Sequence, residues 1–339
     1  MINRKNARND MMQLGGNVQK RWKTMQIKKI PGTPVPADVT LAPPGPGDVL
    51  VRLRAAALNF ADLLMTQGHY QETPSPPFIP GLEGAGEVIA TGPDVLIPPG
   101  TRVAVLSQGT VAQANLFPAA SCHPIPNGMS FEEAAGFLIA YGTSHFALTR
   151  RAGLRQGETL AVLGAAGGVG LTAVEIGAAL GARVIAVARG EDKLTVARAA
   201  GATDCIDSAA CPDLRAALRE LGGADIVYDP VGDKPGEAAF GALRPGGRFL
   251  IIGFAGGRPP ALPLNHALVK NIAIHGFYWG GYQKLDPALL RQDIAALFAL
   301  YDQGRLRPHV GATLPLERLD EGYELLRSRR STGKVIISL

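Results

Sequence analysis

Residues 159–193 read TLAVLGAAGGVGLTAVEIGAALGARVIAVARGEDK. A wholly apolar run enters a glycine-rich turn, a helix-like stretch follows, and a second apolar run begins at Arg183. Apolar runs without polar alternation belong to strands buried on both faces, which requires a parallel sheet covered by helices. The same texture continues through TDCID, DIVYD, GGRFLIIGF and NIAIHGF, with helical stretches at 168–180, 191–200, 212–221 and 235–243 between them. The expected class is therefore α/β, with a doubly wound parallel sheet over 146–283.

The preceding segment has a different texture. Short β-like runs (TMQIKKI, DVLVRLRAAAL, GAGEVIATG, TRVAVLS) are separated by turns such as PGTPVP and APPGPGD, which predicts a compact strand-rich domain. A helical stretch over 130–151 opens on Ser130-Phe131-Glu132-Glu133, a capping box. Helices at 287–301 and 316–330, with an irregular stretch between them, and a strand at 334–339 end the chain, and this tail is expected to return to the first domain. The domains are thus 24–145 with 284–339, discontinuous, and 146–283. The polar, basic stretch 1–23 reads as a flexible extension or an over-extended start, with a presequence or a nucleic-acid arm as alternatives.

Composition narrows the function classes. With 339 residues, 46% hydrophobic and 19% charged, the chain has enough material for two packed cores. No uncharged apolar run is long enough to span a bilayer, so no membrane role is expected. The net charge of +5 includes several charges near the N-terminus, and no Lys/Arg stripe with interleaved aromatics follows, so no nucleic-acid partner is expected. Three scattered cysteines cannot form a disulfide framework, which points to a reducing, cytoplasmic setting.

The glycine turn suggests what the parallel-sheet domain holds. Gly164, Ala166, Gly167, Gly168, Val169 and Gly170 lie between a strand and a helix, where small residues let the backbone approach a pyrophosphate at the helix N-terminus. The spacing is G-x-x-G-x-x-G, and the alternative is tight helix–sheet packing with no nucleotide. An NAD site calls for Asp or Glu at the end of the second strand, to take the ribose 2′-hydroxyl. Here the strand ends in Ala188-Arg189-Gly190 with Lys193 one turn on, a pair suited to a 2′-phosphate. NADPH is therefore the expected cofactor, although Lys193 alone also fits a solvated helix start.

LNFADLLMTQGHY, PGLEGAGEV, GAAGGVG and GGRFLIIGFAGG, in this order, resemble the zinc-independent medium-chain dehydrogenases/reductases, and among them the NADPH:quinone oxidoreductase family. The resemblance covers residues 24–339 and implies a GroES-like catalytic domain in two segments around a Rossmann domain. Zinc-dependent members carry a Cys at or beside the position of Asn59 and a His-Glu where this chain has Leu82-Glu83. A structural zinc lobe needs four closely spaced cysteines, and Cys122-His123 is too close a pair to chelate one ion, so no metal is expected.

By the same resemblance, the catalytic candidates are Asn59, Asp62 and Tyr70. Asn59 would donate to the acceptor oxygen or to the nicotinamide ribose, or else only cap a turn; Tyr70 would donate to the developing oxyanion, or else sit on the rim. Asp62 fits a structural hydrogen-bond acceptor better than a proton donor, and Leu64 replaces a second tyrosine that some members carry. Thr143, Ser208, Gly253, Phe254, Trp279 and Lys334 complete the implied cofactor set. The alternatives are a backbone-bonded helix threonine for Thr143, domain-interface packing for Trp279 and a surface position for Lys334. His69 and His145 read as packed or solvated histidines rather than proton relays.

The resemblance implies hydride transfer from NADPH to a quinone. Without a Lewis acid, ordinary alcohols become difficult substrates, whereas a quinone yields an anion spread by conjugation that modest hydrogen-bond donors can stabilise. The protein's task is then to hold the nicotinamide against the acceptor in a dry cleft. Reduction of a C=C bond conjugated to a carbonyl, in an enone, alkenal or acyl thioester, is the alternative; a low-turnover NADPH-binding protein is a third. A homodimer is expected through the edge strand at 271–277.

Overall fold

The computed structural model describes residues 20–339. Of the extension expected over 1–23, residues 1–19 lie outside the described residues, but Arg21, Trp22 and Lys23 are strand. Trp22 accounts for this: its ring is buried, with the Lys20 ammonium 4.0 Å from the ring centroid.

The chain opens with β1 (Arg21–Gln26), β2 (Val35–Thr40), β3 (Asp48–Leu58), α1 (Phe60–Gln67), β4 (Glu83–Thr91), β5 (Arg102–Leu106), β6 (Ala114–Pro118), β7 (Cys122–Pro124) and α2 (Phe131–Ala135). It continues through α3 (Leu138–Phe146), β8 (Thr159–Leu163), α4 (Gly168–Ala179), β9 (Arg183–Ala188), α5 (Glu191–Ala199) and β10 (Asp204–Asp207). Next come α6 (Leu214–Glu220), β11 (Ala224–Asp229), α7 (Asp233–Gly241), β12 (Leu243–Ile251), α8 (Leu264–Lys270), β13 (Ala273–Gly276), α9 (Tyr282–Leu285) and α10 (Pro287–Asp302). The last elements are β14 (Val310–Pro315), α11 (Leu319–Arg327) and β15 (Lys334–Ser338).

Two compact units divide these elements. One holds the described residues up to Leu138 with His309–Leu339; the other is Ile139–Pro308. The junctions thus fall at Leu138 and Pro308, not at 145 and 284. Both α3 and α10 pack into the second unit, where His145 Nδ1 lies 2.5 Å from the buried Asp293 carboxylate.

In the first unit β14-β15-β3-β4-β5-β7 form one sheet, with β6 also paired to β3. β3 is its hub: β15 pairs antiparallel along one edge (Val335 opposite Leu58) and β4 along the other (Glu83 opposite Ala57). Val49, Val51, Leu53, Val88, Val103, Val105 and Phe117 fill one core layer of this unit. The expected return of the tail to the strand-rich domain is therefore made by β14, α11 and β15, while α10 stays with the second unit.

In the second unit the six strands are all parallel, in the order β10-β9-β8-β11-β12-β13. The order reverses between β8 and β11, the switch point at which ligands bind in such sheets. Ala161, Leu163, Ile185, Val187, Val227 and Phe249 from the strands pack with Leu218 and Phe240 from α6 and α7. Among the described residues no helix is long and apolar enough to cross a membrane.

Candidate functional site

At the end of β8 the backbone turns through Gly164 in the left-handed region (φ +59°), and the Gly167 N–H donates to the Gly164 carbonyl at 2.9 Å. Gly167 is the N-cap of α4 and offers no side chain to the first-turn N–H groups, which leaves those donors for an anion. A Cβ on Gly170 would lie 2.2 Å from the Gly164 carbonyl oxygen, so only glycine lets the helix start this close to the turn. Ala166 beside it is buried. The Val169 carbonyl accepts from the Ser144 hydroxyl at 2.9 Å and the Thr172 hydroxyl at 3.0 Å. Ser144 Oγ in turn lies 2.7 Å from Thr172 Oγ1 and 2.9 Å from Tyr228 OH. Sequence reasoning missed this buried hydroxyl group, because its members come from α3, α4 and β11.

The ends of β9 and β10 lie side by side, Ala188 opposite Asp207. Arg189 is exposed just beyond β9, and Ser208 is exposed just beyond β10 with its N–H donating to the Ala188 carbonyl at 2.8 Å. Lys193 lies half-buried in the first turn of α5. Three acids stand at this corner: Glu191 and Asp192 open α5, Glu191 pairing with Arg198, and on β10 Asp207 Oδ1 accepts the Gly190 and Ala209 N–H groups, each at 2.9 Å. Those N–H groups hold its carboxyl below the usual range. The structure thus brings Arg189 and Ser208 to neighbouring strand ends, with the Asp207 carboxylate engaged by backbone.

After β11, the buried Asp229 carboxylate accepts the Val231 and Gly232 N–H groups at 2.8 Å each, while burial pushes its pKa up to about 6. The Gly253 N–H donates to the Asp229 carbonyl at 3.2 Å, and Phe254 beside it is 42% exposed. Thr143 is half-buried on α3. Trp279 is buried against α3 at Gly142, where a Cβ would lie 2.3 Å from the indole ring. Its Nε1 has no partner among the described residues.

The first unit gathers Asn59, Asp62, Glu83 and Lys334. Asn59 caps α1, and its backbone N–H donates to Asp62 Oδ2 at 2.8 Å. Lys334 is buried rather than at the surface; its ammonium donates to Asn59 Oδ1 at 2.7 Å and to Glu83 Oε1 at 2.8 Å. Asn59 Nδ2 donates to the same Glu83 oxygen at 3.1 Å. Asp62 is fully buried, which pushes its pKa up to about 7 against the opposing pull of the Asn59 N–H and the Lys334 charge. Tyr70 is half-buried, two residues past the left-handed Gly68 that ends α1. Among the catalytic candidates, the structure therefore joins Asn59 and Asp62 directly and adds Glu83, which in the sequence counted only as part of a departed His-Glu motif.

Neither histidine near the motifs joins this cluster: His69 is exposed, and His145 bonds Asp293. Cys122 is buried in the sheet core, with its thiol pushed up to about 12 by burial. Among the described residues no group of three or more His, Cys, Asp or Glu is placed to hold a metal ion. The oxygens of Asn59 and Glu83 face an ammonium that the chain itself supplies, so these residues do not fit a zinc ion. A nicotinamide dinucleotide, by contrast, fits the donor set at the start of α4.

A parallel-sheet unit with this turn, joined to a strand-rich unit, defines the class of two-domain dinucleotide-dependent oxidoreductases. Comparison with known proteins narrows it. Residues 45–130 match the alcohol dehydrogenase GroES-like domain and residues 168–296 match the zinc-binding dehydrogenase model. The quinone oxidoreductase-like protein 2 homolog of Nematostella vectensis is 36% identical over 302 residues, which cover 87% of this chain and 82% of that protein. Quinone oxidoreductase-like protein 2 of Bos taurus is 35% identical, with 89% and 88% covered. Among solved structures, the quinone oxidoreductase of Thermus thermophilus, determined also in complex with NADPH, superposes with a TM-score of 0.83 at 33% identity, covering 94% of this chain and 100% of that one. The chain belongs to the medium-chain dehydrogenase/reductase family, in its quinone oxidoreductase branch. It is an oxidoreductase with a GroES-like domain and a nicotinamide-cofactor domain.

Proposed function

We propose that this protein is an NADPH-dependent reductase that passes hydride to a quinone without a metal ion. The observation that carries the reading is the corner formed by Arg189 and Ser208, where a basic side chain stands at the end of β9; of the carboxylates beside it, Asp207 is engaged by backbone N–H groups and Glu191 by Arg198. A 2′-phosphate is attracted there, with Lys193 as a further partner. The Thermus thermophilus relative solved with NADPH supports the same choice.

The first-turn N–H groups of Gly168, Val169 and Gly170 would hold the pyrophosphate, with Gly164, Ala166 and Gly167 shaping the turn. Thr143, Gly253, Phe254 and Trp279 would surround the nicotinamide, and Lys334 would act through Asn59, to which its ammonium donates. When bound, NADPH supplies the hydride. Asn59 and Tyr70 would donate to the acceptor oxygen as negative charge develops on it, and Asp62 would fix Asn59 through its backbone. We also assign a homodimer built on the exposed edge strand β13 and the neighbouring α8, whose Leu264, Leu268 and Val269 are 68%, 80% and 78% exposed. Three unpaired cysteines agree with a cytoplasmic setting.

The test is oxidation of NADPH, with NADH as control, against a benzoquinone, a naphthoquinone, an α,β-unsaturated aldehyde and an acryloyl thioester. Quinone turnover selective for NADPH is the expected result. Preference for the aldehyde or thioester would move the protein to conjugated C=C reduction, and silence with NADPH still bound would leave a binding protein. Arg189→Ala should weaken NADPH about 10- to 100-fold and leave NADH unchanged. An equal effect on both cofactors would remove Arg189 from the 2′-phosphate site.

A further inference from the structure

Asn59, Glu83 and Lys334 come from three adjacent strands, since Asn59 follows β3, Glu83 starts β4 and Lys334 starts β15. The ladder pairs Val335 with Leu58 and Glu83 with Ala57, so backbone hydrogen bonds fix where all three side chains begin. Gly136 adds a constraint on the lysine: a Cβ there would lie 3.0 Å from both Lys334 Cβ and Cγ, so a larger residue would displace the stem. The lysine and glutamate side chains are 9% and 1% exposed, and their contact is 2.8 Å.

This geometry leaves the Asn59 amide one orientation. Its oxygen faces an ammonium that can only donate, and its nitrogen faces a carboxylate that accepts. Turning the amide over would set NH₂ against the ammonium and C=O against the carboxylate, losing both bonds at once. One Nδ2 proton goes to Glu83; the other has no partner among the described residues, and Asn59 is half-buried. An ammonium on the amide oxygen also draws electron density from the nitrogen through the conjugated amide. The remaining N–H becomes a stronger donor, an effect that burial preserves because water does not screen it.

We propose that Lys334 and Glu83 are positioning residues that lock and polarise the Asn59 amide, making its remaining N–H the oxyanion donor of the reaction. The inference rests on the reading of Asn59 as donor to the acceptor oxygen. Lys334 then works through Asn59 and not by touching the cofactor. The transferred hydride places negative charge on the acceptor oxygen, the Asn59 N–H stabilises that charge, and no proton leaves the cluster.

The experiment pairs an equilibrium probe with kinetics. 4-Nitrophenol stands in for the reduced acceptor's oxyanion, and its neutral and ionised forms are told apart by absorbance. The proteins are the wild type, Lys334→Met, the charge-balanced Lys334→Met/Glu83→Gln, which leaves no lone buried charge, and Asn59→Ala with and without Lys334→Met. Melting curves show that each is folded. The bound phenol should ionise about one pH unit higher in both lysine variants than in wild type. With whichever quinone wild type reduces, kcat should fall about tenfold or more while the NADPH Kd stays within about twofold. In the Asn59→Ala background Lys334→Met should add nothing further.

Phenol that does not bind to wild type, or that ionises at the same pH in all variants, would overturn the inference. So would losses from Asn59 and Lys334 that add independently, or a loss confined to NADPH binding. A wild type that shifts the phenol through Lys334 yet reduces no quinone would keep the inference and remove the quinone reading.

Discussion

Asp62 holds a carboxyl group where water cannot reach it. One oxygen accepts the Asn59 N–H, the other has no partner among the described residues, and burial pushes the pKa from an ordinary 3.8 to about 7. The folded chain therefore keeps a proton that the unfolded chain releases, and the stability tied to it is present below the unfolded value and lost as pH rises through about 7. Asp229, raised to about 6, acts in the same direction. Asp62→Asn keeps an acceptor for the Asn59 N–H and removes the titration. Urea midpoints at about pH 5 and about pH 8 should fall with pH less steeply in the variant than in wild type. Equal falls would place the dependence elsewhere. The sequence carried Asn59 and Asp62 as candidates within one motif and Lys334 within the implied cofactor set, but it did not show that Lys334 is buried against Asn59. Its burial depends on a hydrogen bond spanning 275 residues of chain, and no local pattern reports that.

Among the elements, β8, α4 and β9 were the most legible, because apolar continuity and a glycine turn are local signals that tertiary packing reinforces. The glycine at position 170 has a role that the motif alone does not distinguish from its neighbours: it lets the first turn of α4 approach the Gly164 carbonyl. Gly170→Ala should force the helix start away from the turn. The expected cost is roughly 1–3 kcal/mol of stability, together with weaker binding of both NADPH and NADH, read by urea unfolding and cofactor fluorescence. Unchanged affinity for both cofactors would mean that the turn does not hold the pyrophosphate. Other elements were not legible, among them α1 and β14. The helical stretch expected over 130–151 is α2 and α3 separated at Gly136, with a π-helical segment at Ala147–Arg151. α8 was missed because a seven-residue helix with exposed Leu264, Leu268 and Val269 shows no buried periodic face.

At the scale of the whole molecule, the two textures of the sequence became the two units, and the discontinuity of the first was legible from the tail alone. The junctions were not, because α10 reads as an ordinary amphipathic helix until its Asp293 is seen to meet His145. Association belongs to this scale too. Sedimentation at about 10 µM should give a dimer for wild type and a monomer for Leu268→Glu/Val269→Glu, since two buried carboxylates would cost an apolar contact several kcal/mol. A wild-type monomer would overturn the dimer. Residues 139–308 stand between the two segments of the first unit, and this order of the chain has a consequence in time. On the ribosome the inserted unit is complete before β14 and β15 exist, so it can fold while its host still lacks the strand that lies along β3. The Glu83 carboxylate meets its cation only when Lys334 emerges, which makes the polar cluster among the last parts of the molecule to be completed.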